Sequence, residues 1–231
     1  MRFQDAARDG RAIVYAGIQA DPLVTRAATL LADATPAQRV LARAVMNGET
    51  TDVGGWLAMF PSLFGDAVPA GPERTRSEAI LKVSLEVADR GEQVRNQFRG
   101  AIVEEVTAIL LARRVGEAGV RRERRILFDG VRAEIHPYDV TVEREGAAEA
   151  YDCKWGARGI NDDVLHQLDD ARGHAAEEDE ALGVALVIFD AERSCDVRLE
   201  RQYAPRTGTV IVPLEALDGL AAGAPRAHGA P

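Results

Sequence analysis

Two short runs in this chain carry residue types that can do chemistry together: His136-Pro137-Tyr138-Asp139-Val140-Thr141-Val142 and Tyr151-Asp152-Cys153-Lys154-Trp155. In an extended strand, residues two apart share a face, so Asp152 and Lys154 point one way and Cys153 the other. Asp139 opens the preceding strand, and the short turn between the strands lets the two carboxylates come close across the sheet. Carboxylates that converge beside one lysine are costly unless something cationic binds between them. A hard divalent ion, Mg²⁺ or Mn²⁺, suits such oxygen donors and keeps several of its waters. It lowers the pKa of a water it binds, while a nearby ammonium can orient that water and offset charge on a phosphoryl group. Together these parts suit hydrolysis of a phosphodiester.

The elements that must position these residues follow from periodicity. Residues 1–92 read as a mostly helical region for packing, dimerisation or recognition. Within it Thr35 is a good N-cap, Pro36 takes the first helical position, and Val40, Leu41, Ala44 and Val45 form an apolar stripe that Asn47-Gly48 stops. Val68-Pro69-Ala70-Gly71-Pro72 is clear punctuation, residues 73–88 suit a helix, and Arg90-Gly91 breaks it. A longer helix is predicted over 93–114, on Phe98, Ile102, Val106 and Ile109. After Gly119 the period changes. Asp129-Gly130, a favoured two-residue turn between Ile126-Leu127-Phe128 and the stretch Val131 to Ile135, predicts a hairpin. Strands are expected at 139–142 and 149–155, then a helix from Asn161 or Asp162 to about 178, a buried strand at 182–189 and an edge strand at 209–212. Helix, three strands, helix, strand is the order of an α/β sandwich with a mixed sheet, here over residues 93–215. Residues 216–231, rich in Ala, Gly and Pro, are expected to form a disordered tail.

Asp139 followed by Asp152-x-Lys154, after a helix with Gly100-x-x-x-Glu104, resembles the PD-(D/E)xK nuclease superfamily, the restriction endonuclease-like fold. The resemblance covers about residues 96–190 and includes the order of elements as well as the motif. It implies a restriction endonuclease-like α/β sandwich, a central mixed sheet flanked by helices. It implies that Asp139 and Asp152 are metal ligands, that Lys154 assists the attacking water, and that Glu104 completes the metal site. The family often places a polar residue on the following helix near the site, and Gln167 is the match here. Two features depart from the pattern: the usual Pro-Asp pair is spread as Pro137-Tyr138-Asp139, and the middle acid is Asp, with a shorter reach than Glu. Glu105 competes with Glu104; Gly100 favours Glu104 by allowing the helix close to the sheet. Lysine usage sharpens the match. Of 28 basic residues only Lys82 and Lys154 are lysines, and a compact ammonium differs chemically from the guanidinium fork used elsewhere.

With 37 acidic side chains the 231-residue chain carries a net charge of −9, which argues against coating nucleic acid through global charge. A local basic face is still available. Residues 113–125 hold Arg113, Arg114, Arg121, Arg122, Arg124 and Arg125 against Glu117 and Glu123, a window of +4 that leaves −13 elsewhere. Such a cluster beside the site could hold a phosphate backbone. Helix-end dipole compensation plus an exposed strand is the alternative. Arg198, Arg201 and Arg206 could join the same face. His136 is expected to cap a loop and Trp155 to pack under the next helix. Cys153 and Cys195 could form one disulfide but no disulfide framework. With no signal peptide and no apolar run long enough for a bilayer, a soluble cytoplasmic protein is expected. The combined expectation is a Mg²⁺- or Mn²⁺-dependent endonuclease cutting DNA in restriction, repair or phage defence, as a homodimer or with a protein partner. Two alternatives stand: a non-catalytic nuclease-fold subunit for assembly or nucleic-acid binding, and an RNA-directed nuclease.

Overall fold

Helical period gives way to strand period near residue 120, and a computed structural model describing residues 1–7, 10–48, 52–132, 134, 136–144, 146–202 and 209–223 follows that change. The first half runs β1 (Arg2–Asp5), α1 (Gly10–Gln19), α2 (Pro22–Ala32), α3 (Pro36–Asn47), α4 (Val53–Met59), α5 (Pro61–Phe64), α6 (Pro72–Ala88) and α7 (Glu92–Val115). The second runs β2 (Val120–Phe128), β3 (Val131–Arg132), β4 (Tyr138–Arg144), β5 (Ala147–Lys154), α8 (Asp162–Glu177), β6 (Leu182–Ile188), α9 (Glu192–Gln202), β7 (Ile211–Val212) and α10 (Gly219–Ala222). The chain forms two compact units, Arg11–Val106 and Met1–Gly10 with Thr107–Pro231. They divide inside α7 rather than at residue 92, because Arg90-Gly91 ends α6 while the first turns of the next helix still pack with the helical unit.

In the helical unit, Thr35 caps α3 through a capping box: its hydroxyl accepts the Gln38 N–H at 3.3 Å and Gln38 Oε1 accepts the Thr35 N–H at 2.9 Å. The buried face of α3 is Gln38, Arg39, Leu41, Ala42, Val45 and Met46, so the predicted stripe is shifted and Val40 stands 42% exposed. Two polar residues take core positions because each finds a partner there. Arg39 Nε donates to the Leu31 carbonyl at 3.0 Å, and Gln38 Nε2 donates to Ser77 Oγ at 3.0 Å.

The other unit is a seven-stranded mixed sheet in the order β1-β2-β4-β5-β6-β7, with β3 paired to β2. β1, β2, β4 and β5 pair antiparallel in turn, whereas β5–β6 and β6–β7 are parallel. A parallel neighbour needs a crossover, which α8 supplies between β5 and β6. Val164, Leu165, Leu168 and Ala171 of α8 pack with Ala150, Val184, Leu186 and Ile188 on one face. On the opposite face Cys153 Sγ lies 3.5 Å from Thr107 Oγ1 of α7, so helices flank both sides of the sheet. The predicted hairpin forms, with Asp129 and Gly130 both at positive φ, 45° and 84°.

The sequence reading differs from this unit in several places. β1 was not expected, since a four-residue strand with one apolar side chain, Phe3, shows no period. β2 begins at Val120 rather than 126, and α9 escapes prediction because its sequence is almost wholly polar. The tail is ordered further than expected: Leu214, Leu217 and Leu220 are buried, while residues 224–231 lie outside the described residues. Both cysteines are buried free thiols. No helix among the described residues is long and apolar enough to cross a membrane.

A half-buried ion pair ties α7 to β5. Arg114 Nη1 donates to Glu149 Oε1 at 2.9 Å, its Nη2 reaches Oε2, and Tyr151 donates its hydroxyl to the same carboxylate. Burial alone would raise the Glu149 carboxyl pKa, but hydrogen bonds from Arg114 and Tyr151 hold it below the usual range. Removing Arg114 leaves the half-buried Glu149 carboxylate with the Tyr151 hydroxyl but without its cation. Arg114→Met is therefore expected to cost roughly 3 kcal/mol, read as a lower urea midpoint. A lowered carboxyl pKa stabilises above its unfolded value and stops doing so as pH falls through the folded one, so the gap between wild type and Arg114→Met should shrink on acidification.

Candidate active site

Strand register brings the two aspartates together. The β4–β5 ladder runs from Arg144↔Ala147 to Val140↔Tyr151, and one step further puts Asp139 level with Asp152. Directly opposed residues of an antiparallel pair share a face. At that level the Asp139 side chain takes over from the ladder, its Oδ2 accepting the Cys153 backbone N–H at 2.6 Å. A backbone donor thus fixes the carboxylate relative to β5.

Lys154 completes the group. Its Nζ donates to Asp152 Oδ1 at 3.1 Å and lies 3.9 Å from Asp139 Oδ2. Asp152 is only 3% exposed, whereas the Lys154 side chain keeps 32% exposure. Burial by itself would lower the ammonium pKa, but attraction by Asp139 and then Asp152 outweighs it and raises the value above the ordinary one. Lys154 is therefore a cation at neutral pH. Two carboxylates side by side, with solvent access on the lysine side, could offer oxygen donors to a hard divalent ion. Mg²⁺ commonly takes one or two carboxylates and fills its remaining positions with water and phosphate oxygens, so Asp139 and Asp152 fit it. Among the described residues no group of three His, Cys, Asp or Glu side chains is placed to hold a metal ion.

The remaining expected residues are placed as follows. Glu104 groups with the helical unit, 4% exposed, where Tyr15 donates its hydroxyl to Oε1 at 2.5 Å and Gln19 Nε2 donates to Oε2 at 2.7 Å. A Cβ on Gly100 would come 3.0 Å from the Tyr15 hydroxyl, so the space at Gly100 admits Tyr15 of α1. Glu105 is half-buried. Gln167 is buried on α8 and braces the approach to Asp139: its Oε1 accepts the His136 backbone N–H at 3.1 Å, and its carbonyl accepts the Tyr138 hydroxyl at 3.3 Å. Burial, then the charge of Asp152, pushes the Tyr138 pKa up, which keeps that hydroxyl a donor. His136 itself is exposed.

Most of the basic window turns out to be engaged within the chain. Arg114 pairs with Glu149, Arg124 with Glu143 at 2.7 Å and with Asp5, and Arg125 with Glu134 at 3.3 Å. Arg121 is exposed and donates to the Ala118 and Val120 carbonyls, Arg113 is exposed, and Arg122 is half-buried. Arg198 donates to the Ile160 carbonyl at 3.1 Å, Arg201 is exposed, and Arg206 lies outside the described residues.

Two features of the site went unread in the sequence. Asp190, buried at the end of β6, accepts the Ala157 N–H at 3.0 Å and the Ala191 N–H at 2.8 Å, tying the turn after Lys154 to the neighbouring strand. Its signal is an acid set directly after the apolar run at 182–189. Trp155 stacks on Phe189, with ring centroids 5.0 Å apart, a partner the sequence does not name.

No protein-family model, no curated protein and no solved structure matches this chain.

Gln167→Ala would leave the His136 amide without its acceptor. A loss of about 1–2 kcal/mol in urea unfolding is expected, with faster hydrogen exchange at the His136 amide. Unchanged exchange there would refute the bracing role.

Proposed function

We propose that this chain is a Mg²⁺-dependent nuclease of the PD-(D/E)xK kind that hydrolyses phosphodiester bonds in DNA. The observation that carries the reading is the convergence of Asp139 and Asp152 on the single ammonium of Lys154 where β4 and β5 part. It is supported by the elements around the site: a helix, three antiparallel strands, a crossover helix and a parallel strand. Mn²⁺ meets the same oxygen donors.

In this reading the bound ion supplies Lewis acidity toward water and phosphate oxygens. Asp139 and Asp152 would hold it, and the Cys153 N–H would keep Asp139 from swinging away. Lys154, protonated, orients the attacking water and offsets negative charge growing on the phosphoryl oxygens. Gln167 and the Tyr138 hydroxyl keep the segment before Asp139 in place. Arg113 and Arg121 are exposed members of the basic window and suit contacts to DNA phosphates. Restriction, repair and phage defence are the settings that would use such an activity, with a homodimer or a protein partner assisting the grip on DNA.

A second reading is a non-catalytic subunit of the same fold, serving assembly or nucleic-acid binding. Two observations favour it: Arg114, Arg124 and Arg125 are committed to acids within the chain, and Tyr15 and Gln19 already hold the Glu104 carboxylate.

The deciding experiment incubates the purified chain with Mg²⁺ and plasmid DNA, linear DNA or RNA side by side. Cleavage of DNA that stops on chelation is expected, with Asp152→Asn and Lys154→Ala each slower by about 10²-fold or more. Cutting that survives both substitutions would sink the assignment. Cleavage confined to RNA would move the substrate. No cleavage, together with no heat of Mg²⁺ binding in calorimetry, would establish the second reading.

A further inference from the structure

We propose that Gly159 is a positioning residue for Lys154: by lacking a side chain it lets the turn after β5 rest directly on the lysine stem and fixes where the ammonium sits. A Cβ built on Gly159 would lie 2.5 Å from Lys154 Cβ, 2.6 Å from Cγ and 3.2 Å from Cδ. Contacts that short are far inside van der Waals separation, so either the turn or the lysine must move.

The turn is held on every side. Gly159 donates its N–H to the Gly156 carbonyl at 2.8 Å, and Ile160 donates to Ala157 at 3.0 Å. Asp190 accepts the Ala157 N–H at 3.0 Å, Arg198 Nε reaches the Ile160 carbonyl at 3.1 Å, and Asn161 Nδ2 donates to the Gly159 carbonyl at 3.4 Å. β6 is tied to the same place, since the Phe189 N–H donates to the Lys154 carbonyl at 2.9 Å. Lys154 Cβ is fixed to the β5 backbone and cannot rotate away, so a methyl group at 159 pushes the turn and the end of β5 apart and forces Cγ and Cδ onto a new path. Nζ then moves from its 3.1 Å contact with Asp152.

Gly159 does not sit in the left-handed region, unlike Gly116, Gly130 and Gly146. Its need for glycine therefore comes from the lysine beneath it and not from its own backbone. Only the effect on cleavage rests on the nuclease reading; the placement of the ammonium does not.

The test uses the two-lysine composition. Selective isotope labelling of lysine gives NMR signals from Lys82 and Lys154 alone, and Lys82 is an exposed residue of α6 that serves as internal reference. Gly159→Ala is expected to shift the Lys154 side-chain signal and leave Lys82 in place. Cleavage should fall by about 10²-fold while DNA affinity measured with Ca²⁺ changes by less than about twofold. A double-mutant cycle reads the contact without activity: Gly159→Ala should lower Tm by about 3 °C or more in wild type and by less than about 1 °C in a Lys154→Gly background. If Gly159→Ala alone fails to fold, Lys154→Gly should restore folding of the pair. An unmoved Lys154 signal in folded Gly159→Ala, an equal penalty in both backgrounds, or an unfolded double variant each overturns the inference. A moved signal and a coupled cycle in a protein that never cuts nucleic acid uphold it and remove the nuclease reading instead.

Discussion

Two carboxylates side by side at the end of a sheet repel each other, and burying one of them adds a desolvation cost that only a nearby cation can offset. Asp152 is almost wholly buried, Asp139 is held by the Cys153 amide, and the Lys154 ammonium serves both. Much of the sheet unit is organised around that contact. The β4–β5 register sets the level of the two acids, and α8 grips the segment before Asp139 through Gln167. Asp190 at the end of β6 holds the turn that follows the lysine. Loss of the ammonium would remove the cation that the two carboxylates share and leave their mutual repulsion uncompensated by it.

The same principle governs the arginines. A window of +4 in sequence suggests a positive surface, yet three of its six arginines face acids from elsewhere in the chain. Arg124 meets Glu143 of β4 and Asp5 of β1, Arg125 meets Glu134, and Arg114 meets Glu149 of β5. Charge counted along a chain is therefore not charge presented to a partner. What a nucleic acid would meet in this window is the exposed pair Arg113 and Arg121, a modest electrostatic grip within a chain of net charge −9. A nuclease built this way would bind locally through few phosphate contacts, with only a shallow dependence on salt.

The features legible in the sequence were those whose physics is local. The D-x-K spacing gives the shared face of Asp152 and Lys154, Asp-Gly gives the hairpin, and Thr35-Pro36 gives the start of α3. What stayed hidden depends on partners far away in sequence. Gln167 carries no local sign that it will take an amide 31 residues earlier, nor Gly100 that it makes room for Tyr15. Arg39 looks like surface and is core, because the carbonyl that satisfies it belongs to the preceding helix. α9 and β1 lack an apolar period altogether and exist through pairing and packing that the rest of the unit supplies.

The choice of lysine at 154 in a chain of arginines follows from the same geometry. A guanidinium is a rigid planar fork whose five donors would bridge both carboxylates at once and saturate their oxygens. The ammonium is a small point of charge with three donors, and here it makes one close bond, to Asp152, while standing 3.9 Å from Asp139. It compensates the pair without bridging the two carboxylates. Its stem matters as much as its head. A bare methylene chain is thin enough to run beneath the backbone at Gly159, where even one added carbon would collide at 2.5 Å. Arginine carries the same methylenes at Cβ, Cγ and Cδ, so the head decides between the two, and the compact ammonium is the one that need not bridge both acids.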